Sequence, residues 1–182
     1  MDYLIIDAHA HLWLKQDTMV VGQKIKTLEN GKSQFMGEIR QMLPPFITDG
    51  RNTAEIFLSN MDYARVSAAI ITQEYIDGLQ NEYLWEVQQK YPNRFICCGM
   101  IDVRTDGYLE HAKQLITQGF KVLKLPANRF LLPDRRIYLT SDELMELFKI
   151  MEEKQIILSI DLADGDTQVG KMKEIISEFP DL

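Results

Sequence analysis

The stretch Leu4-Ile5-Ile6-Asp7-Ala8-His9-Ala10-His11 decides the fold prediction for this sequence. It begins as an apolar run typical of a buried strand and ends in two histidines one residue apart. Because side chains at i and i+2 of a strand share a face, His9 and His11 point the same way, and the same alternation places Asp7 on their side. Neutral imidazole is the commonest protein ligand for zinc and related ions, so the pair predicts a site for one divalent metal. A solvated or packed histidine pair is the alternative.

Outward from this stretch, apolar runs typical of strands alternate with patterns typical of helices. Most of the strands are apolar on both faces, as strands buried on both sides are. The predicted strands are Tyr3–His9, Ser67–Gln73, Phe95–Val103, Phe120–Leu125 and Ile156–Asp161. The predicted helices are Thr53–Ala64, Asn81–Tyr91, Gly107–Gln118, Ser141–Lys154 and Thr167–Glu178. This alternation predicts repeated βαβ units and a parallel sheet.

The segment Ile6–Trp13 resembles the first-strand signature of the amidohydrolase superfamily, and it is most similar to the amidohydrolase-related branch of sugar-lactone hydrolases and metal-dependent decarboxylases. Asn81–Leu84, Pro92–Phe95 and Gly119–Pro126 are similar to the same family. The resemblance implies an α/β fold, the (β/α)₈ TIM barrel. Such a barrel takes about 250 residues, so we expect the 182-residue chain to hold about its first five β/α units. A complete five-stranded open α/β sheet is the alternative that the length permits.

Composition and charge narrow the class of protein. The net charge of −7 argues against a nucleic-acid partner, and no apolar stretch approaches the ~18 residues of a membrane span. No secretory signal is visible, and the adjacent Cys97 and Cys98 are interpreted as buried thiols in a reducing compartment. We therefore expect a cytoplasmic protein whose partner is a small-molecule substrate, with a homo-oligomer left open.

Within residues 1–182, treated as a single domain, residues 13–52 lack the strand–helix alternation. They follow the first strand, so we predict a long loop on the active-site face of the barrel. Asn30-Gly31 is a hairpin-turn signal inside it. The loop is expected to form a lid or a wall of the substrate site, and a floppy insertion is the alternative.

Polar residues at the carboxyl ends of barrel strands face the reaction site. On this ground Lys124 and Asp161 are predicted to be catalytic, and Gln73 and Arg104 are predicted to bind substrate. A loop ion pair or a helix cap is the alternative for each of the four. His111 lies in a helical pattern and is predicted to take no part in the site.

The chain departs from the family pattern at the fifth strand, where many relatives have a third histidine and this chain has Asp161. The further ligands that the resemblance implies, a histidine on a later strand and an aspartate on strand eight, would lie beyond Leu182. Two imidazoles alone bind metal weakly, because catalytic sites usually have three or more protein ligands. We therefore expect the 182-residue chain alone to be inactive.

For the full-length protein, the resemblance implies a metal-dependent hydrolase that uses zinc, or manganese as the second choice. Its expected substrate is a small polar carbonyl compound, such as a sugar-derived lactone, attacked by metal-activated water. Nonoxidative decarboxylation and amide hydrolysis on the same site are alternatives. A catalytically silent truncated α/β fragment is an alternative from another class.

Overall fold

The structure, a computed structural model, describes residues 3–14, 17–20, 23–35, 37–127, 137–163 and 165–182. The chain divides into two compact units, Met1–Cys97 and Cys98–Leu182. In the part of the chain that is described, no helix has both the length and the apolar character that crossing a membrane requires.

The described elements are short and regular. The strands are β1 (Ile6–His11), β2 (Asp17–Val20), β3 (Gln23–Thr27), β4 (Lys32–Phe35), β5 (Glu38–Gln41), β6 (Ala68–Thr72), β7 (Phe95–Met100), β8 (Val122–Leu125) and β9 (Ile157–Ile160). The helices are α1 (Ala54–Ala64), α2 (Asn81–Lys90), α3 (Tyr108–Gln118), α4 (Asp142–Glu153) and α5 (Gly165–Glu178), with one 3₁₀ turn at Tyr75–Asp77.

Five parallel strands are hydrogen-bonded in the order β1-β6-β7-β8-β9, and helices α1 to α5 follow them one by one along the chain. The order runs in one direction, as in the first five units of a (β/α)₈ barrel, whereas a doubly wound sheet reverses its order. The predicted fold class, an α/β protein with part of a TIM barrel, is confirmed. The predicted strands and helices are present, and their ends differ from the predictions by at most three residues.

The segment predicted as a long loop contains regular structure, which corrects that part of the prediction. Strands β2 to β5 form an antiparallel sheet in sequential order. The predicted turn joins β3 to β4, with Asn30 and Gly31 at φ values of 56° and 71°, and Thr27 paired with Ser33. The sequence pattern of these strands is weak because they are four or five residues long and carry many polar side chains.

Each unit has its own apolar core. In the first unit the Phe95 ring lies 6.3 Å from that of Phe57 and 6.0 Å from that of Tyr91, so α1 and the end of α2 pack on β7. In the second unit α4 buries one face against the sheet, through Leu144, Leu147, Phe148 and Met151. These residues recur at the helical period, which is why the sequence predicts that helix.

Candidate functional site

The two histidines of β1 meet at their ring nitrogens. His9 Nε2 lies 3.0 Å from His11 Nε2, and the rings make an edge-on contact with centroids 4.8 Å apart. Two nitrogens bound to one tetrahedral zinc at about 2.05 Å would lie roughly 3.3 Å apart. The two imidazoles therefore converge on one point, at nearly the spacing that a shared divalent ion requires.

The histidine pair by itself is an incomplete metal centre. Among the described residues, no group of three or more His, Cys, Asp or Glu side chains could hold a metal ion. A catalytic zinc site keeps three protein ligands and one open position. His9 and His11 therefore fit as two ligands of such a centre, and the centre needs at least one more ligand.

The register of β1 against β6 puts Asp7 and His11 on opposite faces of the sheet, contrary to the alternation predicted from sequence. Asp7 pairs with Ala69 and His11 pairs with Thr72, and a register irregularity lies between Asp7 and Ala10. Three steps along β1 thus match two along β6, as in a β-bulge. Positions 69 and 72 of β6 face opposite sides, so Asp7 and His11 do as well. The Asp7 carboxylate instead accepts a hydrogen bond from the backbone N–H of His9 at 3.0 Å.

Thr72, at the end of β6, lies against both rings. Its Oγ1 is 3.3 Å from His9 Nε2 and 3.5 Å from His11 Nδ1, and the residue is 4% exposed. Sequence reasoning selected its neighbour Gln73 and passed over Thr72. The only sequence signal for Thr72 is a hydroxyl at a strand end, since its contact with the histidines depends on the register of β1 against β6.

Gln73 is directed to the start of α2. Its Nε2 donates to Asn81 Oδ1 at 2.8 Å, and its Oε1 accepts from the backbone N–H of Gln80 at 2.7 Å. Arg104 lies in the turn after β7, where its backbone N–H donates to Asp102 Oδ1 at 3.0 Å. The structure places Gln73 in the first unit and Arg104 in the second. His111 lies within α3, as predicted.

Hydrogen bonds join the two ends of the segment 13–52 to each other and to the backbone of His11. Trp13 and Asn52 exchange two backbone hydrogen bonds of 3.0 and 3.1 Å. The Asn52 side chain donates to the carbonyl oxygen of His11 at 2.7 Å, and Trp13 Nε1 donates to the carbonyl oxygen of Gly50 at 2.7 Å. The backbone that carries His11 is therefore fixed by the far end of this segment.

In the second unit, Lys124 and Asp161 form an ion pair. The Lys124 Nζ donates to Asp161 Oδ1 at 2.6 Å, with side-chain exposures of 1% and 30%. A charged group this well buried needs a partner of opposite charge, and Asp161 supplies it. The two residues that sequence reasoning assigned to catalysis are thus in direct contact.

Gly99 shows which face of the sheet carries this ion pair. A Cβ at Gly99 would lie 3.1 Å from Leu123 Cδ2 and 3.2 Å from Leu115 Cδ1 of α3, so Leu123 faces the helix. Side chains alternate along a strand, so Lys124 projects from the opposite face. Lys124 pairs with Ser159 across β8 and β9, and Asp161 lies two residues further on, on the same face.

The charge of Lys124 also affects the pKa of the Cys98 thiol. Burial raises the pKa of the Cys98 thiol to about 12, and the positive charge of Lys124 acts in the opposite direction. Burial therefore outweighs the lysine, and the thiol stays protonated at neutral pH. Both cysteines are buried and form no disulfide, as the sequence predicts.

A comparison with known families identifies the family of this chain. The family model described as amidohydrolase (Amidohydro_2) matches residues 6–182, which is nearly the whole chain. The chain belongs to the amidohydrolase family. The family is one of hydrolytic enzymes that usually bind a divalent metal. The converging imidazoles of His9 and His11 fit that expectation as part of a ligand set.

Solved structures agree on the fold. A probable 2-pyrone-4,6-dicarboxylic acid hydrolase from Acinetobacter baumannii is 18% identical, with a TM-score of 0.65 over 97% of this chain and 55% of its own. An uncharacterized TIM-barrel protein from Bordetella bronchiseptica is 16% identical (TM-score 0.58, 72% of this chain, 49% of its own). A 4-oxalomesaconate hydratase from Rhodopseudomonas palustris is 19% identical (TM-score 0.53, 70% and 46%). The chain spans about half the length of these structures. A search of curated proteins gives no match.

Proposed function

We propose that this chain supplies two metal ligands, His9 and His11, to a metal-dependent hydrolase of the amidohydrolase family. The observation that carries the proposal is the 3.0 Å approach of the two Nε2 atoms at the carboxyl end of β1. The metal we propose is zinc, with manganese as the second choice, because histidine nitrogens are common ligands of catalytic zinc. When bound, the ion polarises a carbonyl group and lowers the pKa of a water molecule.

The chain's own residues then have separate tasks. We propose Lys124 and Asp161 as catalytic residues, because they lie at strand ends on the face turned away from α3. The Lys124 ammonium would attract an anionic substrate group, and Asp161 fixes the ammonium in place. Gln73 and Arg104 stay predictions as substrate-binding residues.

The substrate class we propose is a small polar carbonyl compound, with a sugar-derived lactone first. One similar structure is described as a 2-pyrone-4,6-dicarboxylic acid hydrolase, and a 2-pyrone is a cyclic ester. That description favours a cyclic ester over an amide as the substrate. Decarboxylation is the second candidate, and a panel of lactones, amides and aromatic carboxylic acids separates the three reactions.

We further propose that the protein works in the cytoplasm on a small molecule, without nucleic acid or membrane as partner. Two buried cysteines that form no disulfide support the cytoplasm, and the net charge of −7 argues against nucleic acid. Whether the protein acts as a homo-oligomer is a matter for sizing in solution.

Metal content tests the function directly. The metal bound to the purified full-length protein is measured by mass spectrometry. The hydrolysis of a lactone is measured on the same preparation. His9→Ala with His11→Ala should remove both metal and activity. His111→Ala is the matched control, because it removes the third histidine of the sequence from α3 and should change neither. Stoichiometric metal in the double variant would contradict the assignment, and a native protein without metal would favour a silent fragment.

A further inference from the structure

We propose that Thr72 is a positioning residue, whose hydroxyl sets the ring tautomers of His9 and His11 so that both Nε2 atoms are unprotonated and able to bind a metal. The inference rests on the proposed function, since it gives Thr72 a task only if the two histidines bind an ion. It adds a residue from β6 to a centre whose two proposed ligands come from β1.

The contact geometry places one hydroxyl between two rings. Thr72 pairs directly with His11 in the parallel register, and its Oγ1 lies 3.3 Å from His9 Nε2 and 3.5 Å from His11 Nδ1. A threonine hydroxyl has one proton to donate and two lone pairs to accept with. It can therefore accept from one ring and donate to the other at the same time.

Only one assignment of protons serves metal binding. If Oγ1 accepts from the Nδ1–H of His11, the Nε2 of His11 carries a lone pair, because a neutral imidazole has a single N–H. If the hydroxyl donates to the Nε2 of His9, that nitrogen is also unprotonated, and the proton of His9 is on its Nδ1. The hydrogen bond occupies the His9 lone pair only until an ion replaces the hydroxyl proton. Both Nε2 atoms are then unprotonated, and a cation bound to both would lie off the line that joins them, because their separation of 3.0 Å is shorter than two metal–nitrogen bonds.

A proton on either Nε2 atom would prevent that nitrogen from binding a metal. Without the hydroxyl, one Nε2–H can donate directly to the other Nε2, because 3.0 Å is an ordinary hydrogen-bond distance. A protonated Nε2 has no lone pair for a metal. The nitrogen that carries the proton is set by the hydrogen bond of the other nitrogen, so the Oγ1 contact at His11 Nδ1 opposes this state.

Burial and side-chain stiffness make Thr72 suited to this task. The residue is 4% exposed, so water competes little for its hydroxyl. A β-branched side chain in a strand has restricted χ1, which fixes the direction of Oγ1. When the ion binds His9 Nε2, the hydroxyl proton turns away from that nitrogen, and Oγ1 continues to accept from His11 Nδ1.

The test compares three variants in the full-length protein. Thr72→Val removes the hydroxyl at nearly constant volume, Thr72→Ser retains it, and Thr72→Ala replaces the valine variant if that one does not fold. Thr117→Val is the matched control, since it removes a hydroxyl that donates to the Lys113 carbonyl oxygen within α3. Co²⁺ and Zn²⁺ affinities are measured by titration, with the visible absorption of Co²⁺ as the signal. Ring ¹⁵N shifts of the metal-free protein report the tautomers.

We expect Thr72→Val to weaken metal binding by about 10- to 100-fold, the usual cost of losing a partner behind a ligand. The ¹⁵N shifts should move toward the Nε2–H tautomer, and Thr72→Ser should recover most of the affinity. A native protein that binds no Co²⁺ or Zn²⁺ would overturn the proposed function itself. A native protein that binds metal while Thr72→Val matches it in affinity and in ¹⁵N shifts would overturn the role of Thr72 alone. Equal losses in the serine and valine variants would also overturn it, since packing would then explain both.

Discussion

Lys124 Nζ and Asp161 Oδ1 lie 2.6 Å apart, yet the lysine side chain is 1% exposed and the aspartate 30%. Removing Lys124 and removing Asp161 should therefore lower the stability of the protein by different amounts. A buried charge is costly without its counter-charge, whereas a partly exposed carboxylate can be solvated by water.

We predict that Asp161→Asn destabilises the protein more than Lys124→Met. The first change leaves a buried ammonium without this carboxylate, at a cost on the order of 3 kcal/mol. The second keeps the volume of the side chain and leaves an aspartate that reaches water, so it should lower activity more than stability. Urea unfolding of both variants gives the comparison, together with activity toward a lactone. An equal or larger loss of stability in Lys124→Met would contradict this order.

The sequence predicts those parts of the fold and of the site whose patterns lie within a short stretch of the chain. Strand β8 and helix α4 are predicted well because apolar runs and the helical period lie within a dozen residues. Lys124 and Asp161 are each placed at a strand end, but their contact depends on the register that pairs Lys124 with Ser159. The contact of Thr72 with His9, which is 63 residues away along the chain, also depends on strand register, so the sequence does not predict it.

Glu55 gives a prediction about pH. Hydrogen bonding from Lys90, at 3.0 Å, is the main cause that lowers the Glu55 pKa to about 2. The unfolded value is about 4.3, so the stabilisation is fully present above that pH and is lost as the pH falls through about 2. Thermal unfolding between pH 6 and pH 2 should thus show a steeper loss for the native protein than for Glu55→Gln.

The size of the Glu55 effect should be small and sensitive to salt. Both side chains of the pair are more than half exposed, at 58% for Glu55 and 63% for Lys90. Water and salt screen exposed pairs strongly. The difference between the native protein and Glu55→Gln should shrink in about 1 M salt, where the screening length is about 3 Å. Parallel pH profiles at low salt would rule out this source of acid sensitivity.

Gly50 is a position where any side chain should disturb the segment 13–52. Its φ is 69°, and a Cβ there would overlap the Cγ2 methyl of Thr27. Its carbonyl also accepts the hydrogen bond from Trp13. We predict that Gly50→Ala costs several kcal/mol, from the left-handed backbone at about 1 kcal/mol and from the overlap for the rest.

The chain offers a control that separates these two costs. Gly107 has a similar φ of 77°, but a Cβ there would meet nothing within 4 Å, so Gly107→Ala should report the backbone cost alone. Thr27→Ser deletes the overlapping methyl and should recover part of the loss in Gly50→Ala. Urea unfolding of the single and double variants measures both effects. Equal costs for the two alanine variants would show that the overlap is relieved without penalty.

The outer strands of the parallel sheet give the last prediction. Within the described residues β1 and β9 each have one neighbour in this sheet, and Ile6 and Ile157 on these strands are 56% and 62% exposed. An open edge with unpaired backbone groups is a template for pairing with another chain. Burying apolar surface is worth about 25 cal/mol per Å², so several hundred Å² at these edges is comparable with a net stability of about 5–15 kcal/mol.

We therefore predict that the 182-residue chain, produced on its own, self-associates or aggregates and shows no hydrolase activity. Ile157→Lys should reduce the association, because a lysine on an edge strand opposes pairing. Ile176→Lys on α5 is the matched control, since it adds the same charge at an isoleucine that is 53% exposed on a helix. Size-exclusion chromatography and thermal melting measure the outcome. A compact monomer with a sharp cooperative melt would contradict the prediction, because the two edges would then be stable in water, as a complete open five-stranded sheet requires.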